Sequence, residues 1–275
     1  MGSQLLDLHL DHLMASGKSD KTIEVRRSVL RRLHDRLPFG LAYAATEQIL
    51  AWFADLRAHG RSRWTLSIYQ YHVTSFYRWA TGAGFLDGDP ARGIDRITAP
   101  RCVPDPVTDE ELAAALLLPD PWRSVVALAA YAGMRCSEVA ACHRNHITAE
   151  RIMIPHGKGD KPGSVPTHPY LWELLEPRSG LIVTNREGEP VSGNWVSRRT
   201  RAKLAKAGLK GVHPHRFRHW YGTTIQASTG DIRVTQELMR HSSISSTMGY
   251  TLVTGAARTA AVSALPVPDT AAPAR

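Results

Sequence analysis

The N-terminal part of the chain repeats apolar positions with the period of an amphipathic α-helix. The pattern covers four segments: residues 5–15, 20–37, 46–60 and 62–84. Residue types that commonly cap helices stand at three of the predicted starts: Asp20, Thr46 and Ser62. The spacing therefore predicts a bundle of four helices.

The same periodicity predicts which side chains of the bundle face inward. It assigns an aromatic and apolar stripe on the last helix to the core: Trp64, Ile68, Tyr71, Phe76 and Trp79. It assigns basic side chains to the outer faces: Arg26, Arg27, Arg31 and Arg63. We expect these outer arginines to be available to a partner.

A change in composition marks the end of the bundle. Residues 88–107 hold four prolines and two glycines with little periodicity, which is typical of an extended linker. We place a domain boundary near residue 100. The predicted division is a helical domain at 1–92, a linker at 93–107, a second domain at 108–254 and a tail at 255–275.

The second domain has a mixed pattern of helical and alternating segments. Its predicted elements are, in chain order, an apolar helix at 122–142 interrupted at Gly133, a β-hairpin over 151–168, a strand at 181–184 and helices from 192 to about 265. The chain as a whole is therefore predicted to be mainly α with a small β-sheet.

The charge of the chain is unevenly distributed. The protein has 275 residues and a net charge of +9, with 43% hydrophobic and 21% charged residues. No acidic residue lies between Asp55 and Asp87 or between Glu189 and Asp231, and both stretches are rich in arginine. Two separate basic regions suit a long polyanion better than a small substrate, although a solvated basic surface or an arginine-rich genome would also explain them. The candidate nucleic-acid contacts are Arg26, Arg27, Arg63, Arg198, Arg199 and Arg201.

The sequence argues against several other classes of protein. Asp7 and Asp11 interrupt the apolar N-terminal run, so that run does not resemble a signal peptide. No apolar run approaches the ~20 residues that span a bilayer. The three cysteines are odd in number and lack CxxC spacing, which disfavours a disulfide framework and a zinc ribbon. We expect a cytoplasmic protein without a membrane partner.

Charged residues cluster in two otherwise apolar segments of the second domain. In GMRCSEV, Glu138 follows Arg135 by three residues and could hold it, or the two could form a purely structural ion pair. In HPHRFRHWYGTT, His215 and His219 have zinc-ligand spacing. They lack a nearby acidic partner and lie among arginines, so an anion site is favoured and no metal site is predicted. Lys158 stands between glycines at the hairpin tip, without the spacing of a P-loop.

Near the C-terminus, His241 precedes Tyr250 in a stretch rich in serine and threonine. In chain order, the segments AGMRCSEVA, GKGDKPGSVP, HPHRFRH and MRHSSISSTMGY resemble the motifs of the tyrosine recombinases, the family of phage integrases and Xer-like proteins. The resemblance extends over roughly the whole chain. It implies a four-helix core-binding domain of the SAM-like type, followed by a mixed α+β catalytic domain. The residues that it makes catalytic are Arg135, Lys158, His215, Arg218, His241 and Tyr250, with Glu138 and His219 in supporting positions.

The resemblance also implies a chemistry. Tyr250 would attack a DNA phosphate and form a 3′-phosphotyrosyl ester, while Arg135 and Arg218 bind the phosphate. His215 would accept the tyrosine proton, and Lys158 would protonate the departing 5′ oxygen. Because the ester exchange conserves bond energy, we expect no cofactor, neither ATP nor a metal. The expected partners are double-stranded DNA with core-type sites and further copies of the chain, as a tetramer on two duplexes, with host or phage accessory factors as further candidates.

Three positions depart from the pattern of the family. Arg240 stands where a glycine usually precedes the second histidine, Leu252 stands where a histidine often follows the tyrosine, and Gly163 stands where an arginine often follows the hairpin turn. The chain also begins almost at the core-binding domain, so we expect the compact form without an arm-binding domain. Beyond the tyrosine, apolar residues at helical spacing predict a short tail helix that packs on a neighbouring protomer or in cis: Ala256, Ala260, Val262 and Leu265.

We therefore predict a site-specific DNA recombinase of the integrase type, which integrates or excises mobile DNA, most simply phage DNA. The alternative is a Xer-like resolvase of chromosome or plasmid dimers, which the motifs do not distinguish from an integrase. A type IB topoisomerase is disfavoured by the layout of two helical domains. A non-catalytic DNA-binding module is disfavoured because every catalytic residue type is present.

Overall fold

The computed structural model describes residues 2–100, 103–155 and 162–240. Four predictions lie outside these residues: the roles of Lys158, His241 and Tyr250, and the tail at 255–275. The chain divides into two compact units, Met1–Arg101 and Cys102–Arg275. The division falls within the proline-rich stretch at 88–107, and the finer domain limits stay a prediction.

The first unit is built from four α-helices: α1 (Gly2–Ala15), α2 (Asp20–His34), α3 (Thr46–Ala58) and α4 (Arg63–Gly82). The helical prediction is confirmed. The inner faces of the helices form one core, which includes Leu30, Leu33, Ile49, Val73 and Phe76. As predicted, Ser62 caps α4, because its hydroxyl accepts a hydrogen bond from the Thr65 N–H at 3.2 Å.

Two of the predicted helix caps are wrong. Asp20 is the first residue of α2, and the preceding Ser19 is the cap, accepting from the Thr22 N–H at 3.3 Å. Thr46 is the first residue of α3, and its hydroxyl donates to the carbonyl of Pro90 at 2.8 Å. The hydroxyl of Thr46 therefore makes a tertiary contact that local sequence could not reveal.

Arg26 does not lie on the outer face, contrary to prediction. It is 2% exposed, and its Nε donates to Nδ1 of His72 at 2.7 Å. Its Nη1 lies 2.9 Å from Nε2 of His9. Helical spacing from Ile23 and Leu30 turns Arg26 inward, and the two buried histidines accept its hydrogen bonds. The predicted DNA contact through Arg26 is thereby contradicted.

The aromatic stripe of α4 is only partly buried. Phe76 is buried, and the Trp79 ring packs against His9 with centroids 4.5 Å apart. Trp64, Ile68 and Tyr71, which were assigned to the core, are 54%, 38% and 62% exposed. The buried face of α4 runs instead through Leu66, Gln70, Val73, Phe76, Tyr77 and Ala80. The large aromatic side chains suggested the wrong buried face of α4. Which face of the helix is buried depends on the side that the other helices cover.

The second unit contains helices around one small sheet. Its elements are α5 (Asp109–Leu116), α6 (Trp122–Tyr131), α7 (Cys136–Ala140), β1 (Arg151–Ile154), β2 (Gly163–Pro166), α8 (Pro169–Leu175), α9 (Gly193–Lys206), α10 (Pro214–Thr229) and α11 (Ile232–Leu238). β1 and β2 pair antiparallel, with Ile154 opposite Gly163, which confirms the hairpin. Helix α6 is buried on all sides and packs against α5, α7, α8, α9 and α10, so it forms the centre of the unit.

The strand predicted at 181–184 is not formed as an element of the sheet. Leu181 makes an isolated antiparallel bridge with His143, and Thr184 makes another with Pro190. Ile182 and Val183, between them, are buried in the core of the unit. The apolar run therefore indicated correctly that these residues are buried, but it did not indicate whether they pair as a strand.

Candidate active site

A sharp turn between α6 and α7 places Arg135 beside Glu138. Gly133 has a φ of 57°, and a Cβ added there would lie 2.5 Å from the ring of Tyr221, so both the backbone and the space require glycine. Arg135 then becomes the N-cap residue of α7. Its Nη1 donates to Oε1 of Glu138 at 2.7 Å, and its backbone N–H donates to Oε2 at 2.8 Å. The pair expected from the sequence is present.

Helix α10 brings the second predicted arginine to the same turn. Arg218 lies on the buried face of α10 and is 1% exposed. Its Nη1 donates to the carbonyl of Gly133, and its Nη2 donates to the carbonyl of Met239 at 2.6 Å. Arg218 therefore joins the α6–α7 turn to the end of α11, directly before the segment that carries His241.

Two histidines occupy neighbouring turns of α10. The ring centroids of His215 and His219 are 4.4 Å apart, at an interplanar angle of 72°. Desolvation, followed by the charges of His219 and Arg218, lowers the pKa of His215 to about 4. His215 is exposed, so water moderates the desolvation, but repulsion by the nearby cations acts in the same direction. A neutral His215 at pH 7 can accept a proton, as its predicted role requires.

The carboxylate of Glu138 is shared by two arginines. Its Oε2 also accepts a hydrogen bond from Nη2 of Arg240 at 2.8 Å. Burial by itself would raise the pKa of Glu138, but the charge of Arg240, together with the N–H and charge of Arg135, lowers the pKa overall. One carboxylate therefore faces two guanidinium groups, with Arg218 close by at Gly133. The excess of positive charge suits an anion.

The sequence identified Arg240 only as a departure from a family pattern and gave it no role. The structure shows that its guanidinium group contacts the carbonyls of Ala132 and Gly133 as well as Glu138. The sequence feature that points to Arg240 is its position directly before a predicted active-site histidine. Its partner could not be identified from the sequence, because Glu138 is 102 residues away.

Arg216, in the HPHRFRH segment of α10, is paired with acidic side chains and is not available to an anion. Its Nε lies 3.0 Å from Oδ2 of Asp105, and its Nη2 lies 3.3 Å from Oε2 of Glu111. Four residues further along α10, Trp220 Nε1 donates to Oδ1 of Asp109 at 2.7 Å. These contacts attach the segment at 105–111 to α10, so Arg216 serves the packing of the unit.

Five of the six predicted DNA contacts are exposed: Arg27, Arg63, Arg198, Arg199 and Arg201. Within the described part of the chain, no cluster of three or more His, Cys, Asp or Glu residues is placed to hold a metal ion. No helix in the same residues is long and apolar enough to cross a membrane.

Comparison with known proteins identifies the family. Residues 112–256 match the phage integrase family, and this range contains every predicted catalytic position. The tyrosine recombinase XerC of Lactobacillus delbrueckii subsp. bulgaricus is 31% identical over 212 residues, which cover 69% of this chain and 72% of the relative. The chain belongs to the phage integrase family. It is a tyrosine recombinase, and hence a site-specific DNA recombinase.

Other relatives of this recombinase match more of its length. The tyrosine recombinase XerA of Thermococcus kodakarensis is 31% identical over 259 residues, covering 88% of both chains. A lambda integrase dimer bound to a COC′ core site aligns with a TM-score of 0.75 at 18% identity, over 90% of this chain and 76% of that chain. A lambda integrase tetramer bound to a Holliday junction aligns with a TM-score of 0.73 at 18% identity, over 88% and 77%. At such identities the structural likeness shows the fold, which is that of the tyrosine recombinases.

Proposed function

We propose that this recombinase cleaves double-stranded DNA with Tyr250 and rejoins it through a 3′-phosphotyrosyl intermediate. The observation that carries the proposal is the convergence of Arg135 and Arg218 at the Gly133 turn. Guanidinium groups offer paired N–H donors that stabilise negative charge on a phosphate. Since Arg218 is 1% exposed, its contact with a phosphate requires a rearrangement at the Met239 carbonyl, which accepts its Nη2 in the structure.

In the proposed reaction, the phenolic oxygen of Tyr250 attacks the phosphorus, and the bond from phosphorus to the 5′ oxygen breaks. The proton of Tyr250 passes to His215, and Lys158 donates a proton to the departing 5′ oxygen. His241 donates a hydrogen bond to the phosphate. A 5′ hydroxyl of a partner strand then attacks the phosphotyrosyl ester and releases Tyr250. Bond energy is conserved throughout, so the cycle requires no nucleotide or metal.

The exposed arginines supply the affinity for DNA. Arg198, Arg199 and Arg201 lie along α9, and Arg27 and Arg63 lie on the first unit. Contacts with phosphates release counterions, so binding weakens as the salt concentration rises. These exposed arginines and the net charge of +9 support DNA as the macromolecular partner.

Two biological roles fit this chemistry. Integration or excision of mobile DNA is the role predicted from the sequence. Resolution of chromosome or plasmid dimers is supported by the XerC and XerA relatives, at 31% identity each. Either role pairs two sites, and the lambda integrase tetramer on a Holliday junction supports assembly of this chain into a tetramer. Sequencing the DNA that flanks the gene separates the roles, because an integrase gene often lies beside its own attachment site.

Covalent capture on DNA tests the proposed nucleophile. The protein is incubated with fragments of genomic DNA and denatured with detergent, and protein-linked DNA is recovered and sequenced from its 3′ ends. We expect the wild-type chain to form adducts at a defined sequence and Tyr250→Phe to form none, because the substitution removes only the attacking oxygen. Binding of Tyr250→Phe to the recovered site should stay close to wild type in a gel shift.

A matched tyrosine variant controls this experiment. Tyr43→Phe removes an exposed phenolic oxygen from the first unit and should form adducts as the wild type does. An adduct that persists in Tyr250→Phe would assign the nucleophile to another tyrosine, with Tyr221 on α10 the first to examine.

A further inference from the structure

Arg240 has a backbone conformation that normally favours glycine. Its φ is 52°, and among the residues that the structure describes it is the one non-glycine residue with a positive φ. A side chain with a Cβ is strained in this left-handed region. Such strain persists only where other interactions hold the residue in place, and it is commonest at functional sites.

The guanidinium group of Arg240 supplies those interactions. Nη2 donates to Oε2 of Glu138 at 2.8 Å and to the carbonyl of Gly133 at 3.2 Å. Nη1 donates to the carbonyls of Ala132 and Leu238, at 3.3 Å each. One side chain thus connects the end of α11 to the α6–α7 turn, where Arg135 lies.

The contact with Glu138 completes the binding of that carboxylate. Oε1 accepts from the Arg135 guanidinium group and Oε2 accepts from the Arg135 backbone N–H. Without Arg240, Oε2 would keep only the backbone hydrogen bond, and the buried carboxylate would lose one of its two cationic partners. A carboxylate held at both oxygens by charged donors is fixed in orientation. The orientation of Glu138 in turn sets the position of the Arg135 guanidinium group.

Gly163 leaves the space that Arg240 occupies. A Cβ at Gly163 would lie 3.1 Å from Cδ of Arg240, closer than an ordinary van der Waals contact. Gly163 is the first residue of β2 and pairs with Ile154. The two departures noted in the sequence therefore lie beside each other, because the absence of a side chain at Gly163 leaves room for that of Arg240.

We infer that Arg240 is a positioning residue for strand cleavage: it holds the second oxygen of Glu138, and through Glu138 it holds Arg135 against the scissile phosphate. The inference rests on the proposed function of Arg135. Because Arg240 acts through Glu138, replacing Arg240 should alter the rate of cleavage rather than the affinity of the protein for DNA. The effect should also depend on an ionised partner at position 138.

The experiment combines Arg240→Gly with Glu138→Gln in a double-mutant cycle. The first-order rate of adduct formation is measured at saturating DNA, on a nicked suicide substrate built from the recovered site, together with Kd and Tm. We expect Arg240→Gly to slow cleavage by about tenfold or more in the wild-type background and by about twofold or less beside Glu138→Gln. Kd should change by about twofold or less, because Arg240 does not contact DNA in this scheme. Arg240→Lys, which keeps the charge beside Glu138, should recover part of the rate.

Two further variants control the interpretation. Gly163→Ala removes no charge but forces the Arg240 side chain to shift by a few tenths of an ångström. It should therefore slow cleavage by a smaller factor and have no effect when added to Arg240→Gly. It also provides the decisive measurement if Arg240→Gly does not fold. Arg233→Ala removes an exposed arginine from α11 and should cleave at the wild-type rate.

A readout without DNA separates this inference from the proposed function. In the free protein, hydrogen exchange of the Arg135 amide, which donates to Glu138, should be faster in Arg240→Gly. Equal rate losses with and without Glu138, or a wild-type rate in Arg240→Gly, would overturn the inference. Unchanged exchange at Arg135 would overturn it as well. Failure of the proposed function appears differently, as the absence of a Tyr250-dependent adduct from the wild-type chain.

Discussion

Each unit of the protein has a cluster of buried or partly buried arginines, and the Arg26 and Glu138 clusters are stabilised by different means. In the first unit, Arg26 donates to His72 and lies beside His9, and both acceptors are uncharged. In the second unit, Arg135 and Arg240 donate to the ionised carboxylate of Glu138. Neutral acceptors satisfy hydrogen bonds and nothing else, whereas a carboxylate also compensates charge.

The pKa values follow from this difference. Burial, and then the charge of Arg26, lowers the pKa of His9 to about 3 and that of His72 to about 4, so both rings are neutral acceptors at pH 7. The pKa of Glu138 is lowered instead by its cationic partners, against the effect of burial. The hydrogen bonds of Arg26 are made to neutral histidines, while the cluster around Glu138 keeps an excess of positive charge. Burial alone therefore does not reveal the role of an arginine.

The largest expected effect separates the two clusters by their role in cleavage. Arg218→Ala should reduce the rate of adduct formation at saturating DNA by about 10²–10³-fold, because the charge on the phosphate loses a cationic donor. Arg26→Met removes an equally buried cation from the first unit, and its rate per folded molecule should stay within about twofold of wild type. The measurement is single-turnover adduct formation, normalised to the folded fraction by circular dichroism. Comparable rate losses in both variants would show that the first cluster also serves the chemistry.

An effect of intermediate size is the dependence of the stability of the first unit on pH. The pKa values of His9 and His72 in the folded state, about 3 and about 4, lie below the value near 6.5 in the unfolded state. At a pH between the folded and unfolded values, the unfolded state therefore binds more protons than the folded state. The stability present above pH ~6.5 should therefore decline as the pH falls, by about 1–2 kcal/mol for each histidine at pH 5. Hydrogen exchange of α2 amides at pH 7, 6 and 5, corrected for intrinsic exchange rates, measures this in the first unit.

Two variants sharpen the pH comparison. His72→Gln keeps a side-chain acceptor for Arg26 but does not titrate, so the decline should be shallower. Glu138→Gln should leave the slope between pH 7 and pH 5 unchanged, because the folded pKa of Glu138 is below its ordinary value of 4.5 and the contribution of Glu138 is lost only at lower pH. An unchanged slope in His72→Gln would mean that the ring is not the group that titrates.

The smallest expected effect compares neighbouring arginines of α2. Arg27 is exposed and Arg26 is buried. Arg27→Ala should weaken DNA binding by a few-fold and reduce the slope of log K against log salt by about 0.9, the value for one phosphate contact. Arg26→Met should leave that slope unchanged. Titrations by fluorescence anisotropy at several salt concentrations measure both, and an unchanged slope in Arg27→Ala would remove Arg27 from the interface.

Local patterns predicted the elements of this fold well, and their errors have a common cause. The hairpin and the pair of Arg135 and Glu138 join residues that are close in sequence, so period and spacing were sufficient. Arg26 and Tyr71 were assigned to the wrong sides of their helices, because the choice of the buried face depends on contacts with other helices. Thr46 was predicted to be a helix cap. Its hydroxyl instead donates to the carbonyl of Pro90, a distant segment that the local sequence does not reveal.

By itself, the sequence determined the family, the helical character of the chain and the order of its polar motifs, because motif order and helical period are properties of neighbouring residues. Only the tertiary structure decided which arginines are exposed, that Arg216 is bound to the segment at 105–111, and that Arg240 reaches Glu138 across 102 residues. The physical reason is that desolvation and ion pairing depend on what surrounds a side chain in space. In this protein, the charge that suits a phosphate arises from three segments that are far apart along the chain and meet at one turn.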